Sequence, residues 1–196
     1  VTMTAGTVNR VYGGGNKAFI GDFDTTNTKF EVDKDAEAGI VESFVNISGG
    51  RVKNNVYGSG NASFVDGNTR VNLASSSTTA ATTKTLRIDG SVFGGSETNA
   101  DEDKTYQYKA IGVSGDATIT VDGTGYFDED GLSTVKINGS IYGGGNNSNT
   151  RGNAKLYVDK VGVKGTPMSM ASIQRFSNVY IKDSVLELNG ARDRSL

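Results

Sequence analysis

Four aromatic residues recur behind a branched apolar residue and ahead of glycines: Tyr12 in VYGGGN, Tyr57 in VYGSGN, Phe93 in VFGGS and Tyr142 in IYGGGN. They stand 45, 36 and 49 residues apart. If the branched residue of each pair faces a core, strand alternation turns the ring outward. Outward rings flanked by glycines would form a flat strip, and aromatic faces suit the C–H faces of sugars or the side chains of a partner. Tyr106 and Tyr108, in a long insertion after the third copy, are candidates for the same ligand. The alternative is that a neighbouring loop covers the rings, which then serve only to hold the turns together.

Carboxylates offer other chemistry. Asp22 and Asp24, then Asp101, Glu102 and Asp103, then Asp128, Glu129 and Asp130 form acidic clusters, and calcium takes about six to eight oxygen ligands. Asp101, Asp103, Asp128 and Asp130 are the candidate ligands, although none of the clusters fits an EF-hand loop or the GGxGxD repeat. Solvated loop tips are the simpler expectation, so no cofactor is expected, with calcium as the alternative. A glycosidase needs two carboxylates at a set separation across a cleft. Asp89 instead stands in a turn where other copies carry Ser48, Asn138 and Lys182, and Asp33, Asp122 and Asp159 all follow the same kind of strand. Asp122 and Asp159, as neighbours, would need a nearby cation such as Lys160. The chain is not expected to be an enzyme, a polysaccharide lyase or hydrolase being the remaining catalytic class.

Composition removes further classes. There is no histidine and no cysteine, so imidazole and thiolate catalysis, thiolate zinc sites and disulfides are absent. Twenty Lys and Arg against 22 Asp and Glu give a net charge of −2, which supplies no basic field for nucleic acid. No apolar run approaches the ~20 residues of a membrane helix, so this segment is not expected to insert. The chain opens mid-pattern at Val1, which reads as a segment of a longer repeat protein.

The elements that must position these residues also repeat. Ahead of the glycine strings lie FVNISGG (44–50), TLRIDGS (85–91), TVKINGS (134–140) and NVYIKDS (178–184). Behind them lie NTKFEVD (27–33), NTRVNLA (68–74), DATITVD (116–122) and NAKLYVD (153–159). Apolar residues two apart, such as Val45/Ile47, Leu86/Ile88, Val71/Leu73 and Leu156/Val158, give each string one buried face. The 27 glycines disfavour long helices. The expected fold is all-β, a parallel β-solenoid of four to five coils with three short strands each and variable loops, forming one domain over residues 1–196. An antiparallel sandwich is the alternative, but it does not require its strands to repeat.

In this scheme the motif glycines turn the backbone through φ values that other residues avoid. Asn16, Asn61 and Asn146 stack as an amide ladder, which Ser96 interrupts. SVLELNG (184–190) is a degraded fifth copy with Leu186 in the aromatic slot, and 160–177 forms a short helix or a cover. The threonine-rich tract at 75–85 fills one loop and reads as a flexible linker.

The run GGRVKNNVYGSGNASFVDGNTRVNL, Gly49 to Leu73, resembles glycine-rich repeats of very large bacterial surface proteins and autotransporter-like adhesins of gut bacteria. The resemblance extends over nearly the whole chain and departs from the pattern in the third-coil insertion and the final loop. It implies a right-handed parallel β-helix displayed extracellularly, at the bacterial cell surface or secreted, and it carries no catalytic or binding motif. The expected function is an adhesin module that binds a host or microbial glycan or glycoprotein through a rigid face and its loops. The alternative is a structural stalk without a ligand.

Overall fold

The computed structural model describes residues 1–16, 19–20, 42–74, 85–97, 112–124, 135–146 and 148–190. Among them there is no helix, and every paired strand runs parallel to its neighbour. The chain visits the same sheets in the same order. Its first circuit comprises β1 (Thr2–Met3), β2 (Thr7–Val8), β3 (Val11–Tyr12) and β4 (Phe19–Ile20). The second comprises β5 (Glu42–Ile47), β6 (Gly50–Val52), β7 (Val56–Tyr57) and β8 (Phe64–Val65). The third adds β9 (Asn68–Ala74), β10 (Leu86–Ile88), β11 (Val92–Phe93) and β12 (Gly112–Val113), and the fourth adds β13 (Ala117–Asp122), β14 (Val135–Ile137), β15 (Ile141–Tyr142) and β16 (Asn149–Thr150). The last residues form β17 (Ala154–Asp159), β18 (Met168–Met170), β19 (Ile173–Gln174), β20 (Asn178–Lys182) and β21 (Leu186–Leu188).

Stacking of the circuits produces a long six-stranded sheet (β1, β5, β9, β13, β17, β20), a second sheet (β2, β6, β10, β14), a third built from the glycine strings (β3, β7, β11, β15, β19) and a fourth (β4, β8, β12, β16). A circuit therefore has four strands rather than the expected three. The fourth is a two-residue strand, too short to show an alternating pattern in the sequence.

The core lies between the sheets. On the long sheet, Val45, Val71, Ile119 and Leu156 form one inward column, and Ile47, Leu73, Val121 and Val158 form another. Leu86, Ile88, Val135 and Ile137 enter from the second sheet, and Val11, Val56, Val92 and Ile141 from the third. The branched residue of each glycine string thus faces the core, as alternation requires.

The register corrects two expected equivalences. FVNIS and NVYIK belong to the long sheet with NTRVNLA, whereas the true counterpart of LRI and VKI in the second circuit is Gly50–Val52. NVYIK is a sixth strand of the long sheet, which begins a further, incomplete pass after four full circuits and a fifth that lacks its fourth strand. Residues 160–177 hold no helix; they contribute β18 and β19, and it is Ile173–Gln174 that pairs with Ile141–Tyr142. Leu186 pairs with Met168 instead of occupying the aromatic slot. NTKFEVD, the threonine-rich tract from 75 to 84 and most of the third-circuit insertion lie outside the described residues.

Candidate functional site

The glycine strings make a close-packed column. A Cβ on Gly13, Gly58, Gly94 or Gly143 would fall within 3.0 Å of a neighbouring circuit's carbonyl, and would crowd Ser43, Thr69, Ala117 or Ala154 at the start of the next long strand. The small residues there complete the fit. Ser43 Oγ donates to the Gly58 carbonyl at 2.7 Å, and Thr69 Oγ1 to that of Gly94 at 2.6 Å. None of these glycines lies in the left-handed region. Close backbone approach, rather than a special turn, is what excludes side chains from them.

The same closeness decides the aromatic ladder. Tyr12, Tyr57, Phe93 and Tyr142 are in register and stack face to face, with ring centroids 5.1, 4.9 and 4.8 Å apart and planes within 6 to 8°. Tyr57 is fully buried, Phe93 is 7% exposed, and Tyr12 and Tyr142 are half-buried. The expected open strip is therefore not present. Ring faces stacked on one another are not free for a sugar, and burial removes most of the edges as well. These rings stabilise the stack along its axis.

The polar cap on this ladder was missed in the sequence. Asn16, Asn61, Glu97 and Asn146 are successive bridge partners, so Glu97, not Ser96, stands in the asparagine slot. Asn61 Nδ2 donates to Asn16 Oδ1 at 3.0 Å, as expected of an amide ladder. Glu97 is only 5% exposed. Its carboxylate accepts from the Tyr12 hydroxyl and, at 2.9 Å, from the Tyr57 hydroxyl, while Arg10 lies 3.5 Å away. Asn55 also donates to the Tyr57 oxygen at 2.8 Å. Burial raises the pKa of both tyrosines, and hydrogen bonding to Glu97 raises them further. Both phenols stay protonated and donate to the carboxylate, which is how a buried charge is kept. Counting five residues on from Val92, rather than matching letters, would have found Glu97.

Other described carboxylates, Asp116 among them although the sequence did not single it out, serve pairing and turns. Asp89 is held below the usual carboxylate range by Arg87 and then by Arg51, whose guanidinium lies 2.6 Å away. Asp116 is lowered by Lys155 at 2.8 Å and by the Asn153 amide. Asp122 and Asp159 are register neighbours as expected, but the cation in their column is Lys182, 3.7 Å from Asp159, not Lys160. Tyr106, Tyr108, Asp101, Asp103, Asp128 and Asp130 lie outside the described residues. Among the described residues no three acidic side chains gather in a way that could hold an ion.

An open aromatic pair exists elsewhere. On the outward face of the long sheet, Asn46, Asn72, Thr120, Tyr157 and Tyr180 form one column, and Phe44, Arg70, Thr118, Lys155 and Asn178 form the next. Tyr157 and Tyr180 stack at 4.8 Å and are 40% and 49% exposed. Their hydroxyls and edges project outward. Because β20 ends the sheet, the far face of Tyr180 has no strand beside it among the described residues. Around the pair stand threonine hydroxyls, asparagine amides and the Lys155 ammonium, all on one flat surface. No family model, curated protein or solved structure matches the chain.

Proposed function

We propose that this chain is a β-solenoid segment of a bacterial surface or secreted protein, acting as an adhesin module that binds a host or microbial glycan or glycoprotein. The reading is carried by one observation: an exposed, stacked tyrosine pair on an outward sheet face, beside the threonine hydroxyls of Thr118 and Thr120, the Asn178 amide and the Lys155 ammonium. Such a face suits a saccharide. The free ring face of Tyr180 meets C–H groups, and the surrounding donors and acceptors meet hydroxyls. Tyr157, paired on both sides, is held by the ladder behind it, and Tyr180 is oriented by stacking on Tyr157, so part of the face is ordered before binding. The glycine-string resemblance to large surface proteins points to the same setting.

The test is a glycan and glycoprotein array probed with the purified segment, with and without calcium, beside Tyr157→Ala and Tyr180→Ala. Saturable binding lost in both variants, with their circular dichroism unchanged, is the expected result. Binding that survives both substitutions removes the face as the site. Silence across the array would favour the structural stalk, a role to which the closed aromatic ladder is well suited.

A further inference from the structure

The fourth sheet stops one circuit before the third. After β19 the chain does not form a fifth strand beside β16; it turns at Arg175, whose φ of 59° lies in the left-handed region, and enters β20 three residues later. Omitting that strand leaves a cleft of about 420 Å³ beside β16, lined by Gly144, Ser148, Thr150, Gly152, Arg175 and Ser177, with Ala154 at its base. Three of its side chains, those of Arg175, Thr150 and Ser177, have hydrogens to donate, whereas Ser148 Oγ already donates to the Ser96 carbonyl. The Arg175 side chain is exposed and has no ion-pair or hydrogen-bond partner among the described residues. Thr150 Oγ1 is buried with no hydrogen-bond partner. Ser177 Oγ accepts from the Ala154 amide at 3.2 Å, which leaves its own proton to donate. A buried hydroxyl without a partner is costly and calls for an explanation.

We infer that this cleft is a binding site for the carboxylate of an acidic saccharide. Arg175 supplies a planar fork matched to a carboxylate, and the hydroxyls of Thr150 and Ser177 supply neutral donors to the same group or to the adjacent sugar hydroxyls. Gly144 keeps the cleft open: a Cβ there would meet only the Ser148 carbonyl at 3.6 Å and Thr150 Oγ1 at 3.9 Å, which is ordinary contact. This glycine, unlike those of the column beside it, borders space instead of backbone. The inference rests on the glycan-binding reading but uses side chains other than those of the tyrosine pair, so separate substitutions let the two fail separately.

The experiment is titration calorimetry of the whole segment with three probes: 3′-sialyllactose, a uronic acid tetrasaccharide and neutral lactose. Arg175→Asn removes the charge and tolerates the left-handed turn. Gly144→Val fills the cleft, and Thr150→Val removes the orphan hydroxyl at nearly constant volume. Preference for either acidic probe over lactose is expected, with affinity falling about 10- to 100-fold in Arg175→Asn and lost in Gly144→Val. The two acidic arms distinguish a sialic from a uronic acid source. Equal binding of lactose and the acidic probes, no binding of either acidic probe, or acidic binding unchanged in Arg175→Asn and Gly144→Val overturns the cleft. If Tyr180→Ala abolishes lactose and acidic binding alike while the Arg175 variant changes nothing, the tyrosine face stands and the cleft falls.

Discussion

At Tyr57 a side chain that looks like a ligand contact is spent on the protein itself. Its ring is stacked on both sides and its hydroxyl is committed to Glu97, so the chemistry available to a ligand moves to residues whose neighbours leave something free. The commitment is measurable by pH. Burial raises Tyr12 and Tyr57 above the ordinary tyrosine value of about 10. A raised folded-state pKa means that the stabilisation is complete below the unfolded value and is lost as pH rises through the folded one. Phenolate absorbance should therefore lag in the native protein relative to the urea-unfolded chain, and unfolding free energy should fall as pH climbs above about 10. Glu97→Gln should shrink the lag without abolishing it, because burial is the larger cause for both tyrosines. A native titration superimposable on the unfolded one would show that the hydroxyls are not desolvated.

Among the elements, the third sheet is specified by what its strands cannot carry. Gly94 and Gly144 sit in equivalent-looking strings, yet a Cβ on Gly94 would lie 2.5 Å from the Gly143 carbonyl and 2.9 Å from Ala117 Cβ, while one on Gly144 has room. Gly94→Ala should cost about 1–3 kcal/mol in urea denaturation, as overpacking against backbone does. Gly144→Ala should lie within about 0.5 kcal/mol of the parent. Equal effects would mean that conformational freedom, not clearance, selects glycine in these strings. This distinction was not legible in the sequence, where GGG is written without regard to which glycine meets a neighbour. Strand existence, by contrast, was legible, because Val45/Ile47 and Leu86/Ile88 announce a buried face. Which sheet each strand joins was not. Period-two alternation is identical in the long and second sheets, and the second circuit passes from one to the other through Ser48 and Gly49 alone, whereas later circuits separate the same two strands by longer stretches of sequence. The aromatic register was readable from spacing because the glycine string anchors it. Its burial was not, since alternation gives the side on which a ring lies and says nothing of what stacks upon it.

Over the whole molecule, height in the stack governs energy more than column does. Leu73 and Ile181 belong to one inward column, joined through Val121 and Val158. Leu73 has strands on both sides and is fully buried, whereas Ile181 on the terminal strand is 52% exposed. In a structure whose circuits touch only their neighbours, stability is close to a sum of interface contributions, and a terminal position contributes to one interface instead of two. Leu73→Ala should therefore destabilise by about 2–5 kcal/mol, the range of large-to-small changes in closed cores. Ile181→Ala should cost less than about 1 kcal/mol, since water already reaches half of the side chain and no closed cavity is left. Hydrogen exchange gives the same contrast residue by residue, with amides of β9 and β13 exchanging last and those of β20 first. The tyrosine pair and the Arg175 cleft both lie at this end, where β20 has no outer strand beside it among the described residues. If Ile181→Ala proved as damaging as Leu73→Ala, the terminal strand would have to be as firmly held as the centre. The binding groups of Tyr180 would then be positioned as rigidly as the core and not by the outermost circuit alone.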